Sequence, residues 1–137
     1  MSNAEIIISN PPSMQATLGL YKQMSRVKAG EMLYLAGQLS SDAQGRTVGK
    51  GDFEAQMRQV FSNIQGVLAS AEADFSNVVQ FTTYLVHSQD IEIFMRVRKE
   101  LFPTLFKDGK YPPNTLLIVD RLVGEDFLIE VQTVAAV

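Results

Sequence analysis

Asn77-Val78-Val79-Gln80-Phe81-Thr82-Thr83-Tyr84-Leu85-Val86 is the stretch from which the fold is read. Its β-branched and aromatic residues suit a pleated, partly buried surface, so it predicts a strand. Upstream, Gly51-Asp52 precedes apolar residues at Phe53, Met57, Val60, Phe61, Ile64, Val67, Leu68 and Ala71. Steps of three and four put these on one stripe and leave Gln56, Arg58, Gln59 and Gln65 mostly off it. The pattern predicts a helix over 53–73, with Asp52 capping its first N–H groups. Downstream, Ile91, Phe94, Val97, Leu101 and Phe102 mark a second helix after Asp90, which Pro103 should kink or end.

Further out, 115–119 and 127–135 read as two strands joined by a polar turn. Segments 21–27 and 32–36 flank Lys28-Ala29-Gly30-Glu31, which has the length and glycine of a hairpin turn. The order is β-β-α-β-α-β-β in one domain over 1–137, an α+β two-layer sandwich with both helices on one face. Leu116-Leu117-Ile118-Val119 is apolar on both sides of its strand, so the second sheet face calls for cover by other subunits.

Composition narrows the function. The chain has 137 residues, with 12 Lys plus Arg against 15 Asp plus Glu, for a net charge of −3. That balance disfavours nucleic acid, whose binding draws on cationic contacts to phosphate. Absence of cysteine removes disulfides, thiolate catalysis and Fe–S clusters, and His87, the single histidine, rules out multi-histidine metal sites. Neither a metal nor a cofactor is implied. No apolar run is long enough to cross a bilayer, and Met1-Ser2-Asn3-Ala4-Glu5 shows no secretory pattern, so a cytoplasmic protein is expected.

Several motifs, in order, are similar to those of the YjgF/Rid family, also labelled L-PSP endoribonuclease-like. Leu18-Gly19-Leu20-Tyr21-Lys22-Gln23 resembles the family's I-G-P-Y-x-Q, and Leu35-Ala36-Gly37-Gln38 its S-G-Q segment. Thr82 to Val86 followed by Asp90 to Phe94 resembles T-x-V-[FY]-[VL]-x-D-x-x-x-F, with about two extra residues. Pro113-Asn114-Thr115-Leu116 stands where the family has P-x-R-[ST], and Ile129-Glu130-Val131 matches I-E-I.

The resemblance implies a chorismate-mutase-like fold and a homotrimeric barrel with small-molecule pockets between subunits, here lined by Tyr21, Ala36, Gly37, Asn114 and Glu130. For the RidA branch it implies hydrolysis of reactive enamines and imines: an arginine anchors the substrate carboxylate and a glutamate positions the attacking water. Glu130 fills the second role, whereas Asn114 stands at the arginine's position. Loss of a guanidinium that can grip a carboxylate with two charged hydrogen bonds weakens the anchor by about tenfold or more. Arg98, or Arg96, is a substitute cation, reaching in from the neighbouring subunit; the alternative places both with Lys99 on a solvated helix face. A deaminase-like hydrolase and a non-catalytic metabolite-binding or regulatory trimer therefore both stand. Ribonuclease chemistry is disfavoured in an acidic chain without a histidine pair.

Three smaller features have ordinary structural readings. His87, Ser88 and Asp90 lie close in sequence, but triads are spatial, and a loop or capping histidine is expected. Tyr21 either caps the pocket or packs in a seam. Gly45-Arg46-Thr47-Val48-Gly49-Lys50-Gly51 lacks the P-loop order and reads as a surface turn.

Overall fold

A computed structural model of the chain describes residues 3–15, 17–28 and 30–137. The elements run β1 (Glu5–Ser9), β2 (Met24–Lys28), β3 (Met32–Gln38), α1 (Phe53–Ser70), β4 (Val78–Leu85), α2 (Ile91–Leu105), β5 (Asn114–Ile118) and β6 (Ile129–Ala136). The main sheet has the order β3-β6-β4-β5, in which only β4 and β5 run parallel. This is the α+β sandwich expected, with one further strand, β1, ahead of the others. Its run Ile6-Ile7-Ile8 is the β-branched signal that announces it.

The strands on either side of residues 28–31 do not pair with each other. β2 pairs antiparallel with β1 in a separate two-stranded ladder, and β3 pairs with β6. Ala29, within the anticipated turn, lies outside the described residues. The Glu31 and Val137 backbones exchange hydrogen bonds of 3.0 Å, which directs the chain onto β6 instead. The Ser25 hydroxyl donates to the Val79 carbonyl at 2.8 Å and ties the small ladder to β4.

Period-two alternation sorts the sheet's two faces. Leu35, Phe81, Leu85, Ile129, Val131 and Ala135 turn toward the helices, where they meet the buried stripe Phe53, Met57, Val60, Phe61, Ile64 and Leu68 of α1 and Phe94, Val97 and Phe102 of α2. Phe81 stands edge-on to Phe61 and to Phe106, at centroid separations of 5.7 and 6.1 Å. The opposite face carries Met32, Tyr34 and Leu117 and is uncovered within one chain; Tyr34 is 77% exposed.

Asp52 caps α1 through a 3.0 Å bond from the Ala55 N–H. Pro103 does not end α2, which runs on to Leu105. The carbonyl that its missing N–H leaves free belongs to Lys99, an exposed residue, and water can satisfy it. The glycine-rich loop is a surface turn: the Asp42 carboxylate accepts from the Gln44 and Arg46 N–H groups, both at 2.9 Å, so those amides are spent within the turn. Gly49 (φ 73°) packs so close to α1 that a Cβ there would meet Ala55 Cβ at 2.8 Å.

Gln56 corrects the sequence reading, which set it off the apolar stripe. It is fully buried, and its amide donates to the Gly49 carbonyl at 3.2 Å and the Asp126 carbonyl at 2.8 Å while accepting from the Leu128 N–H at 2.9 Å. A buried amide so satisfied joins α1 to the loop that introduces β6. Gln56→Ala should therefore cost about 2–4 kcal/mol in urea unfolding, because it strands buried backbone groups. Gln65→Ala, on the exposed side of the same helix, should stay within about 0.5 kcal/mol.

Candidate functional site

The candidate residues gather in two groups. Tyr21, Arg98 and Asn114 line one recess of about 230 Å³, with Leu18, Ile91, Met95 and Leu116 as its apolar walls. Ladder register explains the placement. Asn114 and Leu116 lie opposite Phe81 and Thr83 of β4, and so share the helix-facing side of the sheet, at its β5 edge. The Thr83 hydroxyl donates to Asn114 Oδ1 at 2.7 Å. The carboxamide oxygen is thus engaged, and its NH₂ is the end left to offer donors.

Arg98 is 2% exposed and is the one buried charged residue among the described residues. Its Nη2 lies 3.0 Å from Met95 Sδ, and its guanidinium carbon is 4.9 Å from the Phe94 ring centre and 5.7 Å from that of Tyr21. Those aromatic faces supply cation–π stabilisation. No carboxylate pairs with it among the described residues. Burial lowers its pKa to about 10, with Tyr21 acting in the opposite direction, so it stays charged at neutral pH. The backbone at Gly19 lies against the guanidinium: a Cβ there would collide with Nη2 and stand 3.2 Å from Cζ.

Arg96 behaves differently. It is bonded to Glu54 at 2.8 Å and to Glu100 at 3.4 Å in an exposed network that Arg58 also joins. The solvated-face reading thus holds for Arg96 and for exposed Lys99, but not for Arg98. Arg98 and Asn114 of the same chain line one recess, so this cation reaches it without a neighbouring subunit.

Glu130 belongs to the second group. In the ladder it faces Tyr84, which turns its side chain to the open sheet face, away from the Arg98 recess. It crosses Gly37 where the β3–β6 register shifts between Leu35 and Gln38; a Cβ on Gly37 would lie 2.8 Å from the Glu130 Cδ. Ala36, beside it, is exposed. The Glu130 carboxylate has no hydrogen bond or ion pair among the described residues, and burial pushes its pKa upward.

His87 stands at the start of a short 3₁₀ turn without capping it through its side chain. Among the described residues no side-chain hydrogen bond joins it to Ser88 or Asp90, so no triad forms. Larger recesses lie around Asp74 and Asp108 and around Ser41 and Asn63, and no buried charged side chain lines them. Among the described residues no group of three or more potential metal ligands occurs, and no helix is long and apolar enough to cross a membrane. The recess walls Leu18, Ile91 and Met95, and the Thr83 contact, are contributions that sequence reasoning missed. Ile91 and Met95 have the four-residue helical spacing that puts them on one face with Arg98.

A family profile described as Endoribonuclease L-PSP matches residues 13–137. A RutC family protein of Pyrococcus horikoshii is 34% identical over 118 residues, covering 86% of this chain and 87% of that protein. The protein DfrA of Myxococcus xanthus is 38% identical over 118 residues, covering 86% of each. Among solved structures, the Rid-family protein YyfB of Yersinia pestis, described as of unknown function, superposes with a TM-score of 0.86 at 27% identity, covering 96% of this chain and 98% of that one. RidA from an Antarctic Psychrobacter superposes at 0.66 with 26% identity, covering 96% of this chain and 99% of that one. The chain belongs to the YjgF/Rid family, within the L-PSP group.

Because burial raises the Glu130 pKa, the folded chain holds that proton more tightly than the unfolded chain. Its contribution to stability is intact below about pH 4.5, the ordinary value, and is lost as pH rises through the folded value. Glu130→Gln should accordingly raise Tm at pH 7–8 relative to wild type, and the difference should close toward pH 4. Equal Tm differences at both pH values would show that Glu130 ionises as freely in the folded chain as in water.

Proposed function

We propose that this Rid-family protein hydrolyses a small reactive imine or enamine in a site completed between copies of the chain, with Glu130 holding the attacking water. The observation that carries the reading is the unpartnered Glu130 carboxylate beside the Gly37 backbone. A carboxylate with a raised pKa is suited to taking a proton near neutral pH. Water would add its oxygen to the imine carbon as the C=N π pair moves to nitrogen, and Glu130 would take the water's proton. Starting from the protonated imine, that proton, returned to the amine nitrogen, lets ammonia leave with the C–N bonding pair as the hydroxyl on the same carbon collapses to a carbonyl and passes its own proton to Glu130. The protein's share of the work is orientation and proton transfer, since the iminium carbon is already electrophilic.

Assembly enters because Glu130 and the Arg98 recess lie on opposite faces of the sheet in one chain. The uncovered face with Met32, Tyr34 and Leu117 supports a homotrimer in which copies cover one another. Leu117→Glu should then shift sedimentation from the mass of three chains toward that of one, and an unchanged sedimentation coefficient would count against that packing.

Ammonia release from freshly generated 2-iminopropionate tests the chemistry. Acceleration by wild type that falls at least about 100-fold in Glu130→Gln, within the range for losing one acid–base group, is the expected result. No acceleration over buffer contradicts the reading for this substrate. A second reading, binding of a metabolite without turnover, draws support from the separation of Glu130 and Arg98 within the chain. A ligand that copurifies chemically unchanged would favour it.

A further inference from the structure

We infer that Met95 is an oxidative modification site, at which a peroxide converts the thioether to a sulfoxide whose oxygen is held by the buried Arg98 guanidinium. The inference is independent of turnover, since it concerns two side chains of α2 and their surroundings.

Two observations carry it. Met95 is half-buried and lines the recess of about 230 Å³ at the β5 edge, so a small oxidant reaches its sulfur from solution. The backbone at Gly19 approaches the same sulfur: a Cβ there would stand 3.6 Å from Sδ, and glycine leaves that side uncovered. The second observation is Arg98, 2% exposed, whose Nη2 lies 3.0 Å from Met95 Sδ. Among the described residues that guanidinium has no oxygen acceptor. Arg96, two residues away, has two glutamates. A thioether is a weak acceptor, and the Phe94 and Tyr21 rings offer faces rather than lone pairs, so a costly buried cation is left poorly satisfied.

Oxidation changes that balance. A sulfur lone pair attacks one peroxide oxygen, the S–O bond forms and the O–O bond breaks. Sulfur is oxidised and the peroxide reduced; the departing hydroxide takes the proton of the transferred oxygen and leaves as water. The new oxygen is a far stronger acceptor than sulfur, and it forms beside a donor already directed at that atom. Methionine oxidation ordinarily disrupts packing, because it makes an apolar side chain polar. Here the polar product meets an unsatisfied charge, and a hydrogen bond to a charged group is among the stronger ones. Among the described residues no other methionine sulfur accepts a hydrogen bond. Met14, Met24 and Met32 are exposed, and Met57 is fully buried in the apolar core. These four serve as internal references for access.

The experiment treats the full-length protein with hydrogen peroxide, follows oxygen uptake at each methionine by peptide mass spectrometry, and measures Tm before and after. Met95 should oxidise at a rate within about tenfold of Met24 and at least about tenfold faster than Met57, since susceptibility follows access. The exposed methionines oxidise alike in wild type and in Met95→Leu, so comparing the two isolates Met95. The Tm change on oxidation should be more positive in wild type by about 2–4 °C. In Arg98→Leu that gain should vanish, because the sulfoxide then has no cation to hold it. Should Arg98→Leu fail to fold, the comparison of wild type with Met95→Leu decides alone.

Met95 oxidising no faster than Met57 would overturn the inference. So would a Tm change in wild type equal to or below that of Met95→Leu, or a gain that persists in Arg98→Leu.

Discussion

The two ladders of β4 are the constraint on which the site depends. β4 is paired on both sides, parallel to β5 and antiparallel to β6. Because side chains alternate along a strand, these registers fix which neighbours share a face. Phe81 and Thr83 look toward the helices and take Asn114 and Leu116 with them; Tyr84 looks outward and takes Glu130. One residue of slip in either ladder would exchange those positions. Register is in turn enforced by the core, since Phe81, Leu85, Ile129 and Val131 must meet α1 and α2 to be buried. The chemistry of the site is thus placed by the same hydrophobic burial that holds the domain together.

Arg98 shows what such a scaffold can hold in place. On α2 it follows Phe94 by four residues and Met95 by three, so all three project to one side. The aromatic rings and the sulfur shield it, and the close approach of Gly19 fixes its position. None of these neighbours neutralises it. Glu130 is the complementary case on the far face: a carboxylate placed over a glycine at a strand irregularity, with its proton held more tightly by burial.

Much of this was legible in the sequence. The three-and-four spacing from Phe53 to Leu68 marks α1, and the β-branched run at 78–85 marks β4, because each pattern has one physical cause. Other features depend on tertiary context. Gln56 reads as surface from its polarity, yet the loops at 49 and 126–128 give its amide three backbone partners, so burial is favourable. Pro103 signals a helix end, but its site on α2 lets water satisfy the freed carbonyl. The hairpin expected around 28–31 fails because local turn composition says nothing about β6, nearly a hundred residues onward, which takes β3 as its partner.

The site divides along the same line. Tyr21, Gly37, Asn114 and Glu130 were found through motif resemblance, which carries residue identity but not the face on which each one lies. Arg98 has two sequence readings of equal form, solvated or pocket-lining, since its neighbours Arg96 and Lys99 are charged as well. Only the packing of residues 18–21 against α2 separates them.

A crystal structure of the assembled protein tests the account most directly. The account predicts that the Glu130 carboxylate of one copy faces the recess lined by Tyr21, Arg98 and Asn114 of another. Glu130 sealed against a cationic side chain away from that recess would contradict it.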